Sequence, residues 1–102
     1  MNTITIDELK ARLDAGENVN IVDVREPHEN AEFNIGGPLI PLGKIQSLQI
    51  NELESYKDNE LIIYCRSGNR SGQACVILDG LGFKNTKNLI GGMLAWREKF
   101  NV

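Results

Sequence analysis

Only two cysteines and one histidine occur among the 102 residues. That is too few for a disulfide framework, and no cluster of ligands for a metal or an organic cofactor is spelled out. Positive charge is also scarce: eleven Lys and Arg stand against fourteen Asp and Glu, a net charge of −3, which argues against a nucleic-acid footprint. Long apolar runs are missing. Leu61-Ile62-Ile63-Tyr64-Cys65 falls far short of the roughly 20 residues of a membrane-spanning helix. The stretch Met1-Asn2-Thr3-Ile4-Thr5 lacks the positive flank and apolar block of a signal peptide, so a reducing cytoplasm is the expected location. No internal repeat, low-complexity tract or linker interrupts the chain.

What is present suits a globular fold. Hydrophobic residues make up 41% and charged residues 25%, near the usual soluble proportions. The length fits one domain over residues 1–102, large enough to bury a core without staples, and nothing in it demands more than a monomer. Thr5-Ile6-Asp7-Glu8 reads as a capping box that opens a helix, with Leu9 and Leu13 on one face and Gly16 as the stop. Residues 19–24, apolar and β-branched, read as a buried strand. Pro27 to Phe33 suits a short helix with proline at its first position, and Gly36-Gly37-Pro38 is a turn, followed by the brief apolar piece Leu39 to Leu42. Ile45, Leu48, Leu53 and Tyr56 give residues 44–57 a loose helical pattern. Glu60 to Tyr64 is a second buried strand. Ser71 to Leu81 is a helix with Ala74, Ile77, Leu78 and Leu81 on its stripe and Gly82 as cap. Thr86 to Leu89 is a third strand, and Met93 to Phe100 a last helix bearing Trp96. Buried strands separated by helices predict a parallel sheet covered on both faces, with ligands beyond the carboxyl ends of its strands. Asp23-Val24-Arg25 and Cys65 both fall at such ends.

The segment Cys65-Arg66-Ser67-Gly68-Asn69-Arg70-Ser71-Gly72 joins a strand to a helix. Small residues and two glycines let successive N–H groups turn inward as an anion-binding nest, and the following helix aims its N-terminus at the same space. A thiol at that focus is expected to ionise readily, with Arg66 and Arg70 pushing the same way. A cysteine ending a strand is ordinarily just a small buried hydrophobe; the basic, glycine-bearing loop favours a reactive nucleophile instead.

Together with this loop, Val22-Asp23-Val24-Arg25-Glu26-Pro27 and Leu89-Ile90-Gly91-Gly92-Met93-Leu94-Ala95-Trp96 resemble a single-domain rhodanese over nearly the whole chain. The resemblance implies a three-layer α/β/α fold with a mostly parallel sheet of about five strands. It implies that Cys65 takes up a sulfane sulfur as a persulfide from thiosulfate or a related small-molecule donor and passes it to a thiol or cyanide. The outer sulfur would lie within the donors of Arg66, Ser67, Gly68, Asn69, Arg70 and Ser71, with no cofactor and no metal. Where the family commonly has His-Ile-Pro-Gly-Ala, this chain has Asn34-Ile35-Gly36-Gly37-Pro38, which leaves the role of that loop open.

Two alternatives use the same thiol. Cysteine phosphatases and some arsenate reductases place five residues between nucleophile and arginine, whereas four separate Cys65 from Arg70; the shorter loop suits a single sulfur better than a phosphoryl group. A sulfur relay that docks to a partner and receives that protein's persulfide shares the chemistry and differs only in the partner. Elsewhere the plainer readings prevail. Asp23 and Arg25 are expected to form a structural charge pair, with Arg25 bordering the mouth of the site. Cys75 is a buried helix residue, His28 an exposed one, and Met93, Trp96 and Phe100 are core.

Overall fold

The computed structural model describes all residues 1–102. In chain order it contains strand β1 (Asn2–Ile4), helix α1 (Ile6–Asp14), strand β2 (Ile21–Asp23), helices α2 (Pro27–Glu32) and α3 (Leu42–Gln46), and a 3-10 helix (Asn51–Tyr56). Strand β3 (Glu60–Tyr64), helix α4 (Asn69–Gly80), strand β4 (Asn85–Leu89) and helix α5 (Gly92–Phe100) follow. The sheet order is β1-β4-β3-β2 and every pairing is parallel.

Strand β3 is central and its apolar residues face both ways, as a two-sided parallel sheet requires. Leu61, Ile63 and Cys65 join the core that contains Ala74, Cys75 and Leu78 of α4. Ile62 and Tyr64 join the opposite core with Leu9 of α1 and Met93 and Trp96 of α5. The period of two along the strand therefore assigns Cys65 to the α4 side. The anticipated caps form: Thr5 Oγ1 accepts from the Glu8 N–H at 3.1 Å while the Thr5 N–H donates to Glu8 Oε1 at 3.2 Å, and Gly16 and Gly82 take positive φ just past their helices. On α5, Trp96 meets Phe100 edge to face at 5.0 Å.

The sequence-based expectation differs in three places. The sheet has four strands, not about five. A further edge next to β2 is reduced to one bridge between Asp23 and Leu39, because Pro38, on the side that faces β2, has no N–H to extend the ladder. The pattern over 44–57 is two pieces, α3 and the 3-10 helix, broken at Leu48, which holds φ 61° and leaves a largely exposed side chain. Strand β1, unread in the polar start of the chain, pairs through Asn2, Thr3 and Ile4 with Lys87, Asn88 and Leu89. Only Ile4 of its residues is buried, so it offers no apolar signal.

Candidate functional site

The candidate site is the turn from β3 into α4, at the carboxyl end of an interior strand. Its shape is set from behind by α5. The Met93 N–H donates to the Cys65 carbonyl at 2.9 Å and the Leu94 N–H to the Arg66 carbonyl at 2.8 Å. A planar trans peptide directs C=O and N–H to opposite sides, so tying these carbonyls to α5 turns the Arg66 and Ser67 N–H groups away from α5. The approach requires glycine at 92: its φ is +54°, and a Cβ there would lie 2.4 Å from the Cys65 carbonyl oxygen and 2.6 Å from that of Arg66. The Gly91-Gly92 pair is thus part of the site's construction as well as a turn.

Cys65 is only 1% exposed. Its Sγ accepts from the Gly68 N–H at 3.1 Å and from the Ser71 N–H at 3.4 Å, and lies 3.3 Å from Ser71 Oγ. Burial pushes the thiol's pKa up, but the Ser71 hydroxyl together with the N–H groups of Ser71, Gly68 and Ser67 outweighs it and leaves the group below its ordinary value. Gly68, at φ +103°, makes the reversal that aims its own N–H at the sulfur.

The other loop residues take different roles from one another. Arg70 is held by Glu29 of α2 in a two-pronged ion pair at 2.7 and 2.8 Å, and this pairing keeps the Glu29 carboxyl down at about 2. The guanidinium that the sequence suggests as an anion lure is therefore matched by a carboxylate. Arg66 is exposed and makes no ion pair; it lines a cleft of about 680 Å³ between α2 and α5, where Arg25 and Arg97 alternate with Glu29, Glu32 and Glu98 beside His28 and Leu94. Ser67 is exposed, and Asn69 turns its Oδ1 to Gln73 Nε2 at 3.3 Å.

Asp23 and Arg25 form a buried pair, with Arg25 Nε donating to Asp23 Oδ1 at 2.9 Å and Nη2 to Oδ2 at 2.8 Å. The same Nη2 donates to the Phe33 carbonyl at 2.6 Å, and Asn30 Nδ2 donates to Asp23 Oδ2 at 2.9 Å, so the pair locks α2 and the chain after it to the end of β2. Tyr64 finishes the anchoring: its hydroxyl donates to the Gly36 carbonyl at 2.9 Å, and burial first, then Asp23, pushes the phenol up to about 12, so it stays a donor. The turn at Asn34–Pro38 depends on Gly37, where a Cβ would sit 2.2 Å from the Ile21 carbonyl oxygen. Cys75 is fully buried; burial first, with Asp79 adding to it, pushes its thiol up to about 11.

Two contributors escape the sequence reading. Glu29, which neutralises Arg70, sits in a short helix 41 residues upstream. Asn88, read only as part of a strand, accepts from the Ser71 hydroxyl at Oδ1 and donates from Nδ2 to the Gly68 carbonyl at 3.0 Å. Neither position carries a local signal, since each acts across the fold. No helix is long and apolar enough to cross a membrane.

A family model described as a rhodanese-like domain matches residues 5–99. A sulfurtransferase of Allochromatium vinosum is 40% identical over 97 residues, covering 94% of this chain and 88% of that protein. The structure of the human single-domain sulfurtransferase TSTD1 superposes with a TM-score of 0.79 at 28% identity, covering 97% of each chain. The chain also matches the adenylyltransferase and sulfurtransferase MOCS3-2 of Zea mays at 36% identity over 100 residues, 93% of this chain but only 21% of that protein.

Proposed function

This chain belongs to the rhodanese-like sulfurtransferase family, and on that premise we propose that it moves a sulfane sulfur through a persulfide on Cys65. The observation that carries the reading is the pair of backbone donors on one buried sulfur: the Gly68 N–H at 3.1 Å and the Ser71 N–H at 3.4 Å from Cys65 Sγ. Such donors favour an anionic sulfur over a neutral thiol.

In the first half-reaction the Cys65 thiolate attacks the outer sulfur of thiosulfate. A bond forms between Sγ and that sulfur, the S–S bond of thiosulfate breaks, and sulfite leaves with the bonding pair. The negative charge then rests on the outer persulfide sulfur, where the N–H groups of the loop stabilise it. In the second half-reaction a thiolate or cyanide attacks the outer sulfur, the Sγ–S bond breaks, and its electron pair returns to Sγ. Charge and electrons balance without an external oxidant or reductant, and ping-pong kinetics follow. Arg66, exposed and unpaired at the cleft, is the cation best placed to draw in an anionic donor. Asp23 and Arg25 act structurally by fixing the neighbouring chain. The whole sequence is read as one such domain, working as a cytoplasmic monomer.

In a second reading the donor is another protein's persulfide; a domain like this one recurs inside a larger maize adenylyltransferase and sulfurtransferase, of which it covers 21%. Intact mass after incubation with thiosulfate tests both. A reducible gain of one sulfur atom, absent in Cys65→Ser, supports the first. A gain only from a protein persulfide supports the relay. No adduct from either donor defeats the persulfide reading.

A further inference from the structure

Hydrogen-bonding groups that touch a reactive sulfur act only if something holds them there, and here both loop donors lead back to one side chain. Asn88 lies on β4, between β1 and β3, with its backbone in register with Thr3 on one side and Ile63 on the other. Its Nδ2 donates to the Gly68 carbonyl at 3.0 Å, and its Oδ1 accepts from the Ser71 hydroxyl. The amide can be oriented in only one way, because the Gly68 carbonyl is solely an acceptor. Gly68 and Ser71 are the same two residues whose N–H groups point at Cys65 Sγ.

The first turn of α4 is shaped around this amide. A Cβ on Gly72 would lie 3.3 Å from Asn88 Nδ2, and one on Gly68 3.9 Å from it. Glycine at 72 therefore gives the amide its place against the helix, a requirement distinct from the positive φ that Gly68 needs.

We propose that Asn88 is a positioning residue for the sulfur-binding loop, hanging both Gly68 and Ser71 on an interior strand so that their donors stay aimed at Cys65. The proposal rests on the reading of Cys65 as the sulfur carrier but predicts a property of the thiol itself. Hydrogen bonds weaken steeply with misalignment, and loop donors at 3.1 and 3.4 Å have little margin. With the amide gone, the loop keeps its sequence and its contacts to α5 but loses its tie to the sheet.

The test is the rate of Cys65 alkylation by iodoacetamide against pH, followed by intact mass, in the wild type, Asn88→Ala and Gly72→Ala, with thermal melting of each. Asn88→Ala is expected to move the profile to higher pH and to slow alkylation about tenfold on its rising limb, as loss of hydrogen bonding to an ionised group does. Gly72→Ala, which keeps Asn88 but crowds its amide, is expected to move it the same way, by about threefold. A loop held only by its own backbone would leave the profile in place, and a hydroxyl freed from Asn88 to serve the thiolate would move it to lower pH. Either result in Asn88→Ala overturns the proposal. If that variant does not melt cooperatively, Gly72→Ala decides it by the same criterion. Because alkylation needs no sulfur donor, a wild type that never takes up sulfur defeats the proposed function and leaves this result standing.

Discussion

Cys65 and Cys75 sit in the same apolar cluster, both shielded from solvent, and their thiols are driven in opposite directions. Cys65 ends a strand, so its sulfur meets N–H groups not yet used by a helix and falls below its ordinary pKa. Cys75 lies inside α4, where the neighbouring N–H groups belong to the helix ladder, and burial lifts it to about 11. Burial alone thus raises a thiol's pKa, and the same burial beside unused backbone donors leaves it below its ordinary value. The position of a cysteine relative to a helix N-terminus, rather than its depth, separates the two.

The contrast breaks most sharply by exchange of single atoms. Cys65→Ser is expected to lower sulfur transfer by at least about a thousandfold, measured as turnover with thiosulfate and a thiol acceptor. Cys75→Ser is expected to keep turnover within about twofold and instead to lower stability by about 1–3 kcal/mol, since it replaces a fully buried thiol by a hydroxyl that costs more to take out of water. Denaturant unfolding and turnover together would show whether the two roles are separable.

The pH dependence of stability sharpens it next. A folded pKa above the unfolded value means that the native state keeps a proton the unfolded state has released, so stability falls as pH rises. For Cys75 that window runs from the ordinary thiol value of 9.0 to about 11, and the loss amounts to roughly 2–3 kcal/mol. Cys75→Ala is expected to unfold with a correspondingly weaker alkaline loss. Cys65 has the opposite sign. Its lowered value makes the ionised sulfur stabilising above the unfolded pKa, and that contribution is lost as pH falls through the folded one. The difference between wild type and Cys65→Ala should therefore shift against the wild type on acidification.

The smallest effects divide the two loop arginines. Arg66→Gln is expected to lower kcat/KM for thiosulfate about three- to tenfold, less at high salt, as removal of an exposed steering charge does. Arg70→Gln is expected to change the salt-dependent part by about twofold or less, because Glu29 already balances that charge, and to cost about 1 kcal/mol of stability as α2 loses its tie to the loop. Equal effects in the two variants would mean that the Glu29 pairing does not persist in solution.

Much of this was legible along the chain, and what was not shares a cause. The capping box at Thr5 and Glu8, the β3 run and the stripe of α4 are patterns within a few residues of one another, so periodicity exposes them. The split between α3 and the 3-10 helix was hidden because the apolar spacing of Ile45, Leu53 and Tyr56 continues across it, while the backbone turns at Leu48. Strand β1 was hidden because only Ile4 of its three residues is buried. In the site, the loop that favours an ionised thiol was readable from Cys65 to Gly72. The neutralisation of Arg70 by Glu29 and the hold of Asn88 on Gly68 and Ser71 were not, because each joins residues 17 to 41 positions apart.

The chain by itself determined that a cysteine would stand between a buried strand and a helix, followed by a loop flexible enough to turn its N–H groups inward. Local backbone chemistry suffices for that. Only the tertiary structure decided how the loop is held. The Cys65 and Arg66 carbonyls are drawn back by α5 through Gly92, Arg70 is matched by α2, and Asn88 braces the loop from β4. These are choices among partners brought together by packing, and a sequence does not record such distances.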